Sequence, residues 1–423
     1  MYSLAFSILF VSFIILTLLV RFWLASRHIR HVLAHRSAVP AEFAEKIPLA
    51  AHQKAADYTI ARTRYGLLTL MVDTLVLVGF TLLGGLQWLS LQVFAVTGPG
   101  MWYQIALVGA YSVIAGAVSL PFDYYRQFGL EQRFGFNKMG KGLFFKDLIM
   151  WTGVGIALGL PLLWVVLTLM AKAGDLWWLY TWVVWTGFQL LMMVLAPNLI
   201  LPLFNKFTPL ADASLKARIE ALIARVGFAS RGLFVMDGSK RSAHGNAYFS
   251  GFGASKRIVF FDTLLARLQP QEIEAVLAHE LGHFKLKHIV KRLAAIFALS
   301  LGFLALLGYL KNQPWFYDGL GVNPLALPGQ SNDAMVLLLF MLVLPVFTFL
   351  FNPLTSIGSR KHEFEADAFA ARHTDARDLV SALVKMYEDN ASTLTPDPLH
   401  SAFYDSHPPA SVRIRQLKLA AQA

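Results

Sequence analysis

The chain has 423 residues, of which 56% are apolar and 15% charged, with no cysteine and a net charge of +11. That balance, with a mean hydropathy of +0.53, excludes an ordinary soluble domain, and the missing cysteine excludes disulfides and thiolate metal sites. No Gly-rich phosphate loop or nucleic-acid motif accompanies the positive charge, which is therefore read as facing anionic lipid rather than nucleic acid.

In chain order, long uncharged runs occupy residues 1–20, 74–122, 148–171, 176–205, 293–310 and 334–359. A spanning helix needs about 20 apolar residues. The second run accommodates two spans, divided where Thr97-Gly98-Pro99-Gly100 clusters turn residues, which brings the expected total to seven. The first run has no basic leader and no small-residue cleavage site, so it is expected to be retained as an anchor. Lys and Arg alternate between connections. Residues 26–65 hold seven, 123–147 five, 201–292 fourteen and the region after Pro353 eight, whereas the intervening connections hold only Lys172 and Lys311. This predicts a cytoplasmic basic side, with the N-terminus outside and the C-terminus inside. Asp73 is an ionisable group at membrane depth and is expected to face a cavity or a partner.

The expected organisation is mainly α. Residues 1–204 hold spans one to five, 205–292 a catalytic segment, 293–353 spans six and seven, and 354–423 a second catalytic segment. Within the first segment, residues 232–236 and 246–261 are strand-like, and Gly251, Gly253 and Ser255-Lys256 interrupt them as a hairpin would. A helix then opens at Pro270 and carries His279-Glu280-Leu281-Gly282-His283. Histidines four apart share one helix face, the geometry two zinc ligands need, and Glu280 lies beside them to act on water. A third ligand is not local. Ile289 stands where a metzincin would place histidine, and the offset of His288 turns it to another face.

Beyond the last span, residues 361–386 read as one or two helices interrupted near Thr374. Glu363 and Asp367 share a face there, while Ala366 and Ala370 would let another backbone approach. Glu363 is expected to be the third zinc ligand, and Asp367 to orient a histidine ligand through its second ring N–H. Glu365 would point elsewhere. By this reading the chain binds one zinc ion through His279, His283 and Glu363. Alanine at Glu365 or His288 is expected to keep bound zinc.

The sequence resembles the type I CAAX prenyl proteases, integral-membrane zinc metallopeptidases. The likeness runs through Phe134-Gly135-Phe136-Asn137-Lys138, Asn246-Ala247-Tyr248-Phe249, residues 256–264, the HELGH core, residues 363–369 and Ser406-His407-Pro408-Pro409 with Arg413. It implies seven transmembrane helices with a small β-element, a gluzincin-type HExxH helix plus ExxxD helix, and an intramembrane chamber. It also implies that Glu280 is the general base and acid, and that Asn246, His407 and Arg413 contact substrate or support the transition state. Substrate, a peptide or lipidated peptide, is expected to add as a strand beside Asn246, Ala247, Tyr248 and Phe249. No protein partner is called for. The compact, cysteine-free chain points to a bacterial inner membrane with a cytoplasmic-side site; a eukaryotic source would place it in the endoplasmic reticulum membrane. Two alternatives stay open: a quality-control protease for membrane proteins, and a seven-helix receptor or transporter with structural zinc.

Overall fold

In the computed structural model, which describes residues 1–228, 230, 232–250 and 257–420, the apolar runs form helices, because in a bilayer backbone polar groups are satisfied only within the protein. The main elements are α1 (Tyr2–Ala34), α2 (Leu49–Phe80), α3 (Gly85–Thr97), α4 (Met101–Tyr125), α5 (Lys141–Lys172), α6 (Trp177–Leu195), β1 (Phe207–Pro209), α7 (Ala213–Val226), β2 (Leu233–Met236), β3 (Ala247–Ser250), β4 (Arg257–Phe261), α8 (Pro270–Lys285), α9 (His288–Leu310), α10 (Asp333–Thr348), α11 (Asn352–His373), α12 (Ala376–Asp389), α13 (Pro398–Tyr404) and α14 (Ala410–Ala420). Seven helical stretches among the described residues are long and apolar enough to cross a membrane. They are α1, α2, α5 and α9, the extensions of α4 and α6 to Met101–Phe134 and Gly174–Phe204, and α10 joined to α11 as Asp333–His373. Leu75, Val113 and Ile149 on these helices are largely exposed, the apolar surface that lipid requires.

One expected span moves. The second crossing helix is Leu49–Phe80, not the segment from Thr74 to Thr97. Hydropathy marks only the apolar part of a helix, and α2 continues through Arg64, Arg62 and Lys54 into the basic segment. Its end packs on Gly321, where a Cβ would clash with the Thr81 carbonyl oxygen, and Gly84 follows in the left-handed region at φ +74°. The 13-residue α3 that follows is too short to cross, and the third crossing starts at Met101.

Two apolar cores occupy opposite ends of the molecule. One joins α1, α3, α4 and α10 with Phe316 and Leu320; there Lys311 binds buried Asp333 at 2.7 Å and Ser7 donates to the Gly319 carbonyl at 2.7 Å. The other joins α7, α8, α11, α12 and α14 to the sheet. The Lys- and Arg-rich connections gather at this second end, where Arg241 pairs with Asp147 at 2.7 Å and Arg27 with Asp397 at 2.8 Å.

The sheet order is β1-β2-β4-β3. β3 and β4 pair antiparallel, as a hairpin does, while β2 runs parallel to β4. The expected interruption at Gly251, Gly253, Ser255 and Lys256 lies outside the described residues. β3 is an edge strand.

Helix α8 begins as expected at Pro270, with Gln269 and Glu272 forming a capping box. The Gln269 N–H donates to Glu272 Oε2 at 2.7 Å, Lys385 Nζ donates to the same oxygen at 2.8 Å, and the Ser381 hydroxyl donates to Oε1 at 2.7 Å. Glu272 therefore caps α8 and docks it on α12. Burial opposes its charge, but the Lys385 ammonium and the two neutral donors outweigh that, holding the carboxyl below its ordinary value. A depressed folded-state pKa contributes stability above the unfolded value, lost as pH falls through the folded one. Glu272→Gln is expected to cost about 1.5–3 kcal/mol at neutral pH. The difference from the parent in thermal midpoint, measured in detergent, should shrink as pH drops below about 4. A gap that does not change with pH would refute the assignment.

Candidate active site

The site is built where α8 crosses α11. Gly282 allows that crossing: a Cβ there would stand 3.0 Å from the Ala366 Cα and 3.1 Å from the Phe369 Cβ. Ala366 and Ala370 are fully buried, which bears out the close approach expected of them. The backbones come together there, and Glu363 and Asp367 of α11 are presented to the histidines of α8.

His279 Nε2 and His283 Nε2 lie 3.2 Å apart. Glu363 completes the triangle, with Oε1 at 3.3 Å from His283 Nε2 and Oε2 at 3.5 Å from His279 Nε2. Edges of this length suit an ion roughly 2.0–2.1 Å from each ligand atom, the bond length of tetrahedral zinc. Glu363 Oε2 is buried and makes no hydrogen bond, which is costly unless a cation or donor answers it. Two carboxylates, one guanidinium and two neutral imidazoles leave a net negative charge, so the residues fit a divalent metal.

Asp367 stands where the sequence places it. Its Oδ1 is 2.8 Å from His279 Nδ1, which commits the opposite nitrogen of that ring to the site. Burial opposes a charge on His279, but Asp367 and Glu363 outweigh it and push its pKa up to about 9. Carboxylates that would draw a proton so strongly draw a metal cation for the same reason.

Arg413 is buried and holds Asp367 by two bonds, Nε to Oδ2 at 2.8 Å and Nη2 to Oδ1 at 2.6 Å. Its remaining nitrogen, Nη1, lies 3.6 Å from Glu363 Oε2. His407 is exposed, with Nε2 3.4 Å from Glu363 Oε1 and the Ser406 hydroxyl 3.0 Å from its Nδ1.

A cavity of about 790 Å³ opens on this cluster, and Glu280, His279, Asn246, His407 and Arg413 all line it. Of the four strand residues expected at the substrate, only Asn246 reaches the cavity wall. Its Oδ1 accepts from the Ala247 N–H at 2.8 Å, leaving the amide donors available. The Phe249 ring packs on Phe228, and Tyr248 packs edge-on to Phe261. The cavity continues to Arg21, Leu67 and Leu70 of α1 and α2. A second cavity of about 320 Å³ carries on from Arg21 and Leu70 and is lined by Asp73, which thus has the cavity expected of it. His28, Arg62, Tyr387 and His400 also line the first cavity. No local pattern marked them, since they come from four different helices.

Comparison with known proteins identifies the family. The family described as CAAX prenyl protease N-terminal, five membrane helices, matches residues 28–206, and peptidase family M48 matches residues 209–421. A CAAX prenyl protease 1 homolog of Dictyostelium discoideum is 35% identical over 410 residues, covering 95% of this chain and 94% of that protein. The homolog of Arabidopsis thaliana is 39% identical over 305 residues, covering 70% of this chain and 69% of that one. The crystal structure of S. mikatae Ste24p superposes with a TM-score of 0.87 at 30% identity, covering 97% of this chain and 98% of that chain. With its HExxH and ExxxD helices converging among seven membrane-length helices, the chain belongs to the CAAX prenyl proteases of peptidase family M48, membrane metallopeptidases.

Proposed function

We propose that the metal is zinc, held by His279, His283 and Glu363, and that the enzyme cuts near the C-terminus of peptides carrying a lipidated cysteine, at the cytoplasmic membrane face. Zinc in this position supplies Lewis acidity toward the scissile carbonyl and toward water. The observation that carries the reading is that Glu280 lines the same cavity as the ligand cluster. Glu280 takes the proton of the attacking water and later delivers it to the leaving amine. Asp367 fixes His279, and Arg413 fixes Asp367. The Lys- and Arg-rich end carries the site, which supports the cytoplasmic face. The cavity runs on along α1 and α2, where Ile14, Leu18, Leu70 and Leu77 offer a lipid chain an apolar wall beside Arg21 and Asp73.

The open edge of β3 supports strand addition by the substrate, with the Asn246 amide donating to a peptide carbonyl and His407 Nε2–H facing the developing oxyanion. Asn246→Ala and His407→Ala are expected to depress turnover by about 10²- to 10³-fold, the range for a lost transition-state donor, with metal content near that of the parent. Unchanged turnover in both variants would overturn the arrangement.

Metal analysis tests the ligands. His279→Ala, His283→Ala and Glu363→Ala should each lose bound zinc. Paired peptides test the substrate class: the prenylated form should exceed its unmodified twin in kcat/KM by more than about tenfold, some 1.4 kcal/mol. Equal rates on both would favour broad degradation of membrane proteins.

A further inference from the structure

Outside the ligand triangle lies a second cluster of titratable groups, His288, His362 and Glu365, which touches the site from behind. His288 opens α9 directly after Lys287, a non-glycine residue in the left-handed region at φ +57°. This turn ends α8 and swings His288, itself buried, back over the previous turn. A left-handed residue with a side chain costs on the order of 1 kcal/mol and persists only where the surroundings impose it. The result is an unusual contact: His288 Nδ1 stands 3.0 Å from His283 Nδ1, and His288 Nε2 stands 2.8 Å from Glu365 Oε2.

Only one proton arrangement satisfies every atom. His283 turns Nε2 to His279 and Glu363, where a metal takes a lone pair, so its proton resides on Nδ1. His288 then accepts at Nδ1 and carries its own proton on Nε2, which it donates to Glu365. A metal ion within the second cluster fits poorly. The His288 and His362 rings stack face to face at 4.0 Å and 11°, whereas an imidazole binds metal in its ring plane, and Glu365 Oε2 is already taken.

We propose that His288 and Glu365 are positioning residues that orient His283 through a relay, as Asp367 orients His279 directly. Helix α11 thereby secures both histidines of the HExxH motif: Asp367 backs the first, and Glu365 reaches the second through His288. His279 Nδ1 meets its carboxylate directly at 2.8 Å, whereas His283 Nδ1 meets the His288 imidazole, which carries the contact on to Glu365. This inference rests on the assignment of His283 as a metal ligand.

The test uses the full-length protein in detergent, with zinc affinity read by chelator competition and the ligand field by the visible spectrum of the cobalt(II)-loaded form. His288→Phe keeps the ring that stacks on His362 and deletes both nitrogens. It should weaken zinc binding by about 10- to 100-fold and shift the cobalt bands. Glu365→Ala, expected from helix register alone to leave zinc binding unchanged, should through the His288 contact do the same more weakly and add nothing in the His288→Phe background. Glu365→Gln, which retains an acceptor, should restore most of the affinity lost in Glu365→Ala. Should His288→Phe fail to fold, Glu365→Ala alone decides, because Glu365 is half-exposed at the outer end of the relay. Parent-like affinity and spectrum in Glu365→Ala and His288→Phe would overturn the relay. Two zinc ions in the parent falling to one in the variants would overturn it in favour of a metal site. A parent that binds no metal would instead remove the zinc reading on which the relay depends.

Discussion

Glu280→Ala is expected to lower peptide turnover by about 10²- to 10⁴-fold, the contribution of a positioned general acid–base group, while the protein keeps its full complement of zinc. Both halves of the result matter. Glu280 lines the cavity beside the ligand triangle but is not one of the three groups whose ligand atoms converge. Its loss therefore removes proton transfer and leaves the metal site standing. A structural metal in a receptor or transporter would need no carboxylate between its two histidines. Undiminished cleavage by a metal-loaded Glu280→Ala would end the peptidase assignment of this residue. Loss of metal would show that it serves the site structurally instead.

Breaking the Asp367–Arg413 pair should produce the largest loss of stability. Both side chains are buried, and the two bonds join a fork to a carboxylate. Removing either partner leaves the other charge without its answer in a low-dielectric site, which costs about 3–5 kcal/mol. Asp367→Ala should be the more harmful to the metal, because it also frees the His279 ring, with an expected 10- to 100-fold loss of affinity. Arg413→Ala leaves Asp367 in contact with His279, so it should lower the thermal midpoint more than it lowers metal binding. Arg413→Lys keeps the charge but not the bidentate fork and should recover only part of the stability. Thermal melts of the metal-free proteins in detergent, together with chelator titrations, separate the two effects. Midpoints equal to that of the parent in both alanine variants would refute the pairing.

The two predictions rest on different kinds of information. Helical period alone brings His279 and His283 to one face and Glu363 and Asp367 to another. Such local geometry needs no tertiary contact, so each pair was legible in the chain, whereas the meeting of the two faces was not. Membrane character was legible as well, because hydropathy sums over a window, and a bilayer leaves the backbone few choices. What surrounds the triad was not. Hydropathy placed the second span too late, because α2 carries charged residues through its first half and its end packs on Gly321, more than 200 residues away. Gly282 gains its role only when Ala366 arrives against it. Arg413 was read as contacting substrate or supporting the transition state, and its two bonds to Asp367, 46 residues earlier, left no mark in the chain. His288 was read as turned away, because an uninterrupted helix would turn it so; the left-handed turn at Lys287 reverses its direction. The sheet order, with β2 parallel to β4, likewise follows from packing around a shared core and leaves no period in the chain. Sequence by itself determined the number of membrane-length helices and which candidate ligands share a helix face, since each depends on spacing within a single helix or run. Tertiary structure alone decided which second groups hold those ligands in place and which cavity they face, because those contacts join segments that share no local period.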